Sequence, residues 1–280
     1  MMLAPLTHLA LHCRRKGTGL GAFNVIHLEN AESIVEAAER LDVPVVLQIS
    51  ENAVKFHGGR LAPLARGVLA LAEQSSSRAC VHLDHAKDTG LIREAIGLGF
   101  TSIMYDGSHL PDEQNRAETA RVAGWCLDAG VSLEAELGEV GGKDGVHAPG
   151  ARTDPDDAAR FVAETGVDLL AVAVGSSHAM TERTAQLDLD LIGRLAETVP
   201  VPLVLHGSSG VSDESMVAAI RAGMTKINVS THLNHVFTRT VRQVLDEHPE
   251  MVDSRKWAGP GYRAMTDEVA RLLELYSTAG

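Results

Sequence analysis

One unit recurs along the chain: a short apolar segment, a polar or glycine-containing loop, and then an amphipathic helical stretch. The apolar segments are typical of buried strands and lie at residues 22–26, 45–50, 79–85, 102–106, 132–138, 169–175, 202–207 and 226–231. Helical patterns lie between them, for example at residues 29–41, 112–129, 155–165 and 212–221. Alternation of strand and helix implies a parallel sheet, so these eight units predict an α/β fold, a closed TIM-type (β/α)8 barrel.

An open, doubly wound sheet is the alternative architecture. It would need a glycine-rich nucleotide fingerprint after the first strand, whereas the glycines at 17–21 precede a strand and are interpreted as a loop. The tail at 253–280 predicts a helix beyond the eighth unit, which could pack on a neighbouring subunit. Because no linker or low-complexity segment marks a second domain, we predict that residues 1–280 form one barrel domain with a C-terminal helical extension.

Composition excludes several classes of partner. The formal net charge of −12 argues against a nucleic-acid partner, because a phosphate backbone requires a basic face. No apolar run approaches the length of a membrane span, and the first residues lack the pattern of a signal peptide. Cys13, Cys80 and Cys126 form neither a CxxC motif nor a disulfide framework, which fits a reducing compartment. We therefore expect a cytoplasmic protein without a membrane or nucleic-acid partner.

Polar residues concentrate at the C-terminal ends of the predicted strands, where barrel enzymes carry their catalytic groups. They are Asn24, Gln48, Ser50, Asp84, His85, Asp106, Glu134, Glu136, His206, Asn228 and Ser230, with His178 in the loop after the sixth strand. Asp84 and His85 are consecutive, so they share a site only if the strand ends or bends between them. A hydrogen-bonded turn is the alternative interpretation of this pair.

Three of the histidines come from different strand ends, namely His85, His178 and His206. Three imidazoles that leave one coordination position open are a common arrangement for a catalytic zinc ion. Sequence spacing does not establish such a site, because ligands so far apart meet only if the fold brings them together. Ordinary packing of these histidines remains the alternative.

Six segments of the chain carry a resemblance to a known family. They are Ala22-Phe23-Asn24, His82-Leu83-Asp84-His85, Asp106-Gly107-Ser108, Glu134-Ala135-Glu136-Leu137-Gly138, Leu205-His206-Gly207-Ser208-Ser209-Gly210 and Lys226-Ile227-Asn228-Val229-Ser230-Thr231. Together they resemble the class II, metal-dependent ketose-bisphosphate aldolases, in the family's order from about residue 20 to about residue 270. The resemblance implies reversible cleavage of fructose or tagatose 1,6-bisphosphate to dihydroxyacetone phosphate and an aldehyde such as glyceraldehyde 3-phosphate.

The resemblance also implies roles for the strand-end residues. His85, His178 and His206 match the family's zinc ligands, and Asp84 matches the acid/base that moves the proton of the C4 hydroxyl. Asp106 and Glu136 match positions that hold a second divalent or monovalent cation. The alternative for these two carboxylates is that they hydrogen-bond the metal ligands without binding an ion.

The substrate side of the resemblance lies mostly in the last two units. Gly207, Ser208 and Ser209, together with Asn228, Val229, Ser230 and Thr231, match loops that hold a phosphate through backbone N–H groups and hydroxyls. Further substrate positions of the family match Asn24, Ser50, Gly175 and Ala179. Such loops allow a chain of net charge −12 to hold a phosphosugar. The resemblance also implies a homodimer or homotetramer.

Three departures from the family pattern concern the rest of the site. The family usually has Gly where Ala179 follows His178. The loop after the fifth strand lacks the family's Glu in Gly141-Gly142-Lys143-Asp144-Gly145, so Asp144 or His147 is the candidate for its proton transfer. The tail arginine that would hold the distal phosphate is not in register, since Tyr262 and Arg263 lie where it would be sought.

These departures keep two other functions open: another metal-dependent barrel enzyme, either a sugar isomerase or a hydrolase, and a non-catalytic phosphosugar-binding homologue. We also expect the aldehyde half of the substrate to be recognised less typically than the dihydroxyacetone-phosphate half. A Schiff-base mechanism is not expected, because no lysine lies at a predicted strand end and Lys226 is placed at the start of its strand.

Overall fold

The computed structural model describes residues 3–137, 152–176 and 183–280. Within these residues eight parallel strands pair in chain order and close into a barrel. The strands are β1 Leu20–Asn24, β2 Val45–Ser50, β3 Ala79–Ala86, β4 Ser102–Tyr105, β5 Ser132–Glu136, β6 Leu169–Ala171, β7 Leu203–Leu205 and β8 Met224–Val229. The predicted TIM-type (β/α)8 barrel is confirmed.

Helices cover the outside of the barrel and follow the strands. They are α1 Leu6–Lys16, α2 Leu28–Leu41, α3 Glu51–Phe56, α4 Leu61–Gln74, α5 Thr89–Leu98, α6 Asp112–Ala129, α7 Pro155–Thr165, α8 Leu189–Thr198, α9 Asp213–Ala222, α10 Thr231–Glu247 and α11 Ser254–Ser277, with a 3₁₀ turn at Ser208–Gly210. The bounds of α6 and α7 match the prediction. Asp154 caps α7 because its carboxylate accepts the backbone N–H of Asp157, and Pro155 opens the helix.

Several strand bounds differ from the prediction. β1 begins at Leu20, so Gly21, which was assigned to a loop, lies inside the strand. A Cβ at Gly21 would lie 2.7 Å from the ring of Phe23, so only glycine allows this close packing. β7 ends at Leu205 because Gly207 adopts a left-handed φ of 69°, which is incompatible with extended backbone. β8 is shifted by two residues, and Thr231 begins α10 instead of ending the strand.

The N-terminal end of the barrel is closed by α1, a helix that the sequence did not predict. Leu6, Leu9 and Ala10 are fully buried. They form one apolar cluster with inward-facing strand residues, among them Leu20 and Val46. This end of the barrel is therefore sealed by hydrocarbon, and chemistry is confined to the opposite end.

Two strands carry one extra residue each. The pairing of β3 with β4 passes from Leu83 and Ile103 to Ala86 and Tyr105, so β3 advances by three residues while β4 advances by two. The pairing of β7 with β8 passes from Leu203 and Met224 to Val204 and Lys226, which leaves Thr225 as the extra residue. Such β-bulges change the direction in which the following side chains point. The two bulges decide which side chains at the end of β3 and along β8 face the barrel interior.

The predicted C-terminal helix is α11, and it packs against α2, α10 and β1 of its own chain. An ion-pair network ties it to the neighbouring helices. Glu268 accepts hydrogen bonds from His232 of α10 at 2.7 Å and from Arg271 at 2.8 Å. Arg271 and Arg183 both donate to Asp213 of α9 at 2.6 Å. Among the helices of the described ranges, none is long and apolar enough to cross a membrane.

We predict that Glu268→Gln destabilises the fold in a pH-dependent way. Burial raises the pKa of Glu268, but the hydrogen bonds from His232 and Arg271 outweigh this and lower it to about 2. The carboxylate therefore stabilises the fold above its ordinary pKa, and this contribution is lost as the pH falls toward 2. At pH 7 the substitution should lower the free energy of unfolding by about 1–2 kcal/mol, discounted for partial exposure.

Urea unfolding at several pH values measures this difference. Glu274→Gln on the exposed side of α11 is the matched control, and its effect should stay within about 0.5 kcal/mol. The prediction would be contradicted if the difference in free energy of unfolding between wild type and Glu268→Gln grew as the pH fell below 4.

Candidate metal centre and phosphate loops

A cleft of about 860 Å³ opens at the C-terminal ends of the strands. Most of the predicted site residues line it: Asn24, Ser50, Asp84, His85, Asp106, Glu136, Gly207, Ser208, Ser209, Asn228, Ser230 and Thr231. They come from seven of the eight strand ends or the loops directly after them. The closed barrel thus brings residues that lie far apart in the sequence to one face of the molecule.

Three predicted residues are absent from the cleft lining, and two lie outside the described residues. The side chain of His206 is almost fully buried beside the cleft-lining residues. Val229 packs its side chain into the core between strands and helices, so only its backbone remains for a substrate. Gly175 has a φ of 116° and does not line the cleft. His178 and Ala179 lie outside the described residues, as do the loop candidates Asp144 and His147.

Three residues of the cleft region could hold a metal ion. One ligand atom each of His85, Glu136 and His206 lies within 4.8 Å of the other two. The rings of His85 and His206 have their centroids 4.7 Å apart. Two imidazoles and a carboxylate are a common donor set for Zn²⁺, so the residues present fit a divalent ion.

Asp106 contacts one of these residues. Its Oδ2 lies 3.2 Å from His85 Nδ1, and its Oδ1 accepts the hydroxyl and the backbone N–H of Ser108. Burial raises the pKa of Asp106, but the hydrogen bonds from His85 and Ser108 help to hold it below its ordinary value. A carboxylate in this position fixes the orientation of an imidazole whose other nitrogen faces a metal ion.

The bulge in β3 explains how consecutive residues reach the same cleft. His85 has a φ of 48°, the left-handed region that non-glycine residues rarely adopt. This turn of the backbone cancels the alternation of side chains, and both Asp84 and His85 line the cleft. The sequence analysis required a bend between these two residues, and the bend is present.

Asp84 is held by a chain of amide side chains. Gln48 Nε2 donates to Asn24 Oδ1 at 3.2 Å, and Asn24 Nδ2 donates to Asp84 Oδ2 at 3.1 Å. Within the described part of the chain, no group donates a hydrogen bond to the other oxygen, Oδ1. Burial raises the pKa of Asp84, but the positive charges of His85 and Lys226 outweigh this and lower it. One carboxylate oxygen is thus fixed, and the other is buried without a hydrogen-bond donor among the described residues.

His206 lies between two carboxylates. Its Nε2 is 3.1 Å from Glu134 Oε1, and its Nδ1 is 3.2 Å from Glu136 Oε2. Burial alone would lower the pKa of His206, but these two partners raise it to about 9. Glu134 also contacts Lys226, whose Nζ lies 2.9 Å from Oε2. Lys226 was predicted to begin its strand. It is instead the third residue of β8, and its side chain faces the barrel interior.

The two predicted phosphate loops are hydrogen-bonded to each other. The hydroxyl of Ser208 donates to the backbone carbonyl of Asn228, and the backbone N–H of His232 donates to Ser209 Oγ at 3.1 Å. The hydroxyl hydrogen of Ser208 is therefore used inside the protein, whereas that of Ser209 remains for a ligand. Thr231 at the N-terminus of α10 lines the cleft beside them. Backbone N–H groups and a helix N-terminus together form a suitable site for an anion.

Four further residues lie at the site although the sequence assigned them no role in it. Glu134 and Lys226 are fully buried inside the barrel next to His206, and Lys55 and Lys87 line the cleft. Glu134 was noted as a polar residue near a strand end, and its spacing of two from Glu136 places both side chains on the inner face of β5. The register of β8, which turns Lys226 inward, cannot be read from the pattern because of the bulge at Thr225.

Comparisons with known proteins agree with this geometry. The family model described as "Fructose-bisphosphate aldolase class-II" matches residues 4–280. A fructose-bisphosphate aldolase of Thermus caldophilus is 37% identical, with all of this chain and 99% of the relative covered. One of Giardia intestinalis is 36% identical, with all of this chain and 94% of the relative covered. The crystal structure of the YdjI aldolase from Escherichia coli K12 superimposes with a TM-score of 0.86 at 28% identity, covering 99% of this chain and 98% of that one.

The fold and the cleft define a barrel enzyme of the lyase class with a group of residues that could hold a metal ion. The chain belongs to the class II fructose-bisphosphate aldolases. These enzymes are metal-dependent aldehyde-lyases that act on phosphosugars. The resemblance found in the sequence is thereby confirmed at the level of the family and its reaction.

We predict that Asp106→Ala weakens metal binding without abolishing it. The substitution removes the acceptor of His85 Nδ1, and losing such a partner typically lowers metal affinity about 10- to 100-fold. Isothermal titration calorimetry of the metal-free protein with Zn²⁺ measures the dissociation constant. Ser108→Ala is the matched control, because it removes a contact to Asp106 but leaves the bond to His85 in place. A change in the number of ions bound would instead make Asp106 a ligand.

Proposed function

We propose that the protein is a zinc-dependent aldolase that reversibly cleaves fructose 1,6-bisphosphate or tagatose 1,6-bisphosphate. The products are dihydroxyacetone phosphate and glyceraldehyde 3-phosphate. The observation that carries this proposal is the convergence of His85, Glu136 and His206 around one point, with Asp84 on the same cleft wall. A metal-binding group and a separate carboxylate are what this cleavage requires.

His85 and His206 hold the catalytic ion in this proposal, with His178 as a third imidazole and Glu136 as an alternative ligand or a ligand to a second cation. When bound, the divalent ion acts as a Lewis acid on the substrate oxygens next to the bond that breaks. Asp106 and Glu134 each hydrogen-bond one imidazole and so fix its orientation. Carboxylate partners of this kind keep the ligand nitrogens aimed at the centre.

Asp84 moves the proton at the C4 hydroxyl. Its carboxylate, which lines the cleft, takes this proton as the bond between C3 and C4 breaks, and it returns the proton to the aldehyde oxygen in the reverse reaction. Asn24 holds the other oxygen, so the carboxylate cannot rotate away from the cleft. A lowered pKa keeps Asp84 ionised and ready to accept the proton at neutral pH.

The phosphate of the dihydroxyacetone half binds at the loops after β7 and β8. The hydroxyl of Ser209, the backbone N–H groups of the 3₁₀ turn and the N-terminus of α10 provide its donors. Asn228, Ser230 and Ser50 line the same cleft and provide further polar groups. This arrangement requires no basic surface, in agreement with the net charge of −12.

We further propose that residues 1–280 act as one barrel domain and that the protein assembles as a homodimer or homotetramer. Cys13, Cys80 and Cys126 are free and buried, which supports a place in the reducing cytoplasm. None of these points enters the chemistry of the cleft.

Metal removal and Asp84→Ala should affect different steps. Exhaustive chelation should abolish cleavage, and added Zn²⁺ should restore it, because the proposed mechanism needs the ion as a Lewis acid. Lys55 and Lys87 line the cleft, so borohydride trapping tests directly whether either of them forms a Schiff base with the substrate. Asp84→Ala should keep its metal content and lower kcat by about 10²- to 10⁴-fold, the usual cost of losing a general acid/base. Full activity after chelation, or a substrate adduct trapped by borohydride, would contradict the proposal.

The distal phosphate should contribute less than in a typical member of the family. Arg263 is exposed on α11 and does not line the cleft, so its guanidinium does not replace the missing arginine within this chain. A good charge-assisted contact contributes about 1.5–3 kcal/mol, so its loss would cost about ten- to a hundredfold. We therefore expect kcat/KM for a ketose 1-phosphate to be less than about tenfold below kcat/KM for the two bisphosphates.

A loss well beyond a hundredfold would show that a basic residue does hold this phosphate. Lys55 and Lys87 are then the first to test, because both line the cleft. Lys55 pairs with Glu51 at 2.8 Å, and the backbone N–H of Lys87 donates to the other oxygen of Glu51 at 2.7 Å. If Lys55 or Lys87 binds the distal phosphate, its substitution by Met should reduce the difference in kcat/KM between the bisphosphate and the monophosphate substrates.

A further inference from the structure

A lysine and a glutamate lie fully buried in the barrel, below the floor of the cleft. Lys226 and Glu134 are both 0% exposed, and Lys226 Nζ lies 2.9 Å from Glu134 Oε2. Removing two opposite charges from water is costly, and an apolar pair of the same volume is often at least as stable. Stability of the barrel therefore does not account for the pair. Each member also contacts one residue of the site, Glu134 contacting His206 and Lys226 contacting Asn228.

The first contact fixes the imidazole of His206. Glu134 Oε1 lies 3.1 Å from His206 Nε2. An ionised carboxylate can only accept hydrogen bonds, so Nε2 must carry the hydrogen. The other ring nitrogen, Nδ1, faces Glu136 Oε2 at 3.2 Å in the group that could hold the metal ion, and it is the nitrogen from which a bound ion would displace the hydrogen. Lys226, bound to the second oxygen of Glu134, keeps that carboxylate from rotating away from His206.

The second contact fixes the amide of Asn228. Lys226 Nζ donates to Asn228 Oδ1 at 2.8 Å. An ammonium group has three donors and no acceptor, so the amide oxygen must face Lys226 and the amino group must point the other way. Asn228 lines the cleft, two residues along β8 from Lys226 on the same side of the strand. The Nδ2 hydrogens are thus presented to whatever occupies the cleft.

We propose that Lys226 is a positioning residue that orients one metal ligand and one substrate donor at the same time. Through Glu134 it fixes the tautomer and the ring of His206, and directly it fixes the amide of Asn228. Lys226 itself contacts neither the cleft nor the reacting atoms, since its ammonium is enclosed by Glu134 and Asn228. This inference rests on the proposed function, because it assigns the orientation of groups that act in the aldol cleavage.

The metal arm of the test uses the double substitution Lys226→Met with Glu134→Gln. Removing both charges avoids an uncompensated buried carboxylate, and both replacements are close in volume to the native residues. The glutamine side chain can turn either its oxygen or its amino group toward His206, so the imidazole loses its fixed tautomer. Titration of the metal-free protein with Zn²⁺ should give a dissociation constant about 10- to 100-fold higher than wild type.

Ile227→Val is the matched control for this arm. Ile227 is fully buried on the same strand but packs on the helix side of the barrel. It perturbs β8 without touching His206 or Asn228, and its Zn²⁺ dissociation constant should stay at the wild-type value. Equal metal affinity in the double variant and in Ile227→Val would overturn the assignment to His206.

The substrate arm separates Asn228 from His206. The double variant should raise KM for fructose 1,6-bisphosphate about tenfold at saturating Zn²⁺, as expected for losing one well-placed hydrogen bond. In an Asn228→Ala background the same double substitution should leave KM unchanged, while its effect on Zn²⁺ affinity persists. Additive effects on KM in the two backgrounds would show that Lys226 does not act through Asn228.

These outcomes are distinguishable from a failure of the proposed function. If the wild-type protein does not cleave either bisphosphate in the presence of Zn²⁺, the function itself is wrong, and the Zn²⁺ titration still tests the contact with His206. If the wild type is active but neither arm responds, only the role of Lys226 is overturned. Circular dichroism and the unfolding midpoint of each variant establish that a folded barrel is being compared.

Discussion

Consecutive residues of a strand normally face opposite sides of the sheet, and the extra residue in β3 is what allows Asp84 and His85 to share one cleft. The left-handed backbone of His85 costs free energy, on the order of 1 kcal/mol for a non-glycine residue. That strain is held by regular pairing on both sides of the bulge. His85, from the group that could hold a metal ion, and Asp84, the carboxylate proposed to transfer the proton, are therefore brought to one cleft by backbone geometry.

Much of the fold was predictable because its signals are local. Apolar strands, capping residues such as Asp154 and helical periodicity predicted the barrel and the bounds of α6 and α7. The end of β6 was predicted too far along the chain because the apolar residues Val172, Ala173 and Val174 continue after the last paired residue. The ends of β7 and β8 were each predicted two residues too late, because the pattern does not show where the backbone turns, at Gly207 and at the start of α10. The N-terminal helix α1 was missed because it has no strand before it and therefore lies outside the repeating unit.

The residues that line the candidate site were predictable from the sequence, whereas the contacts beneath them were not. Polar residues at strand ends identified the cleft lining, because the C-terminal ends of parallel strands converge in any such barrel. The contacts beneath the cleft were not predictable. Whether Lys226 faces inward depends on the single extra residue Thr225, and a shift of one residue in register exchanges the inner and outer faces of a strand. The pairing of Glu134 with Lys226 follows from that register and has no signature in the sequence.

The apolar seal formed by α1 has a consequence for the polar interior above it. Leu6, Leu9 and Ala10 fill the N-terminal end with apolar side chains, so among the described residues the cleft at the opposite end is the nearest approach of solvent to the polar interior. His82, Glu134 and Lys226 lie fully buried between the apolar seal and the cleft. A molecule that fills the cleft would therefore separate these buried groups further from bulk water.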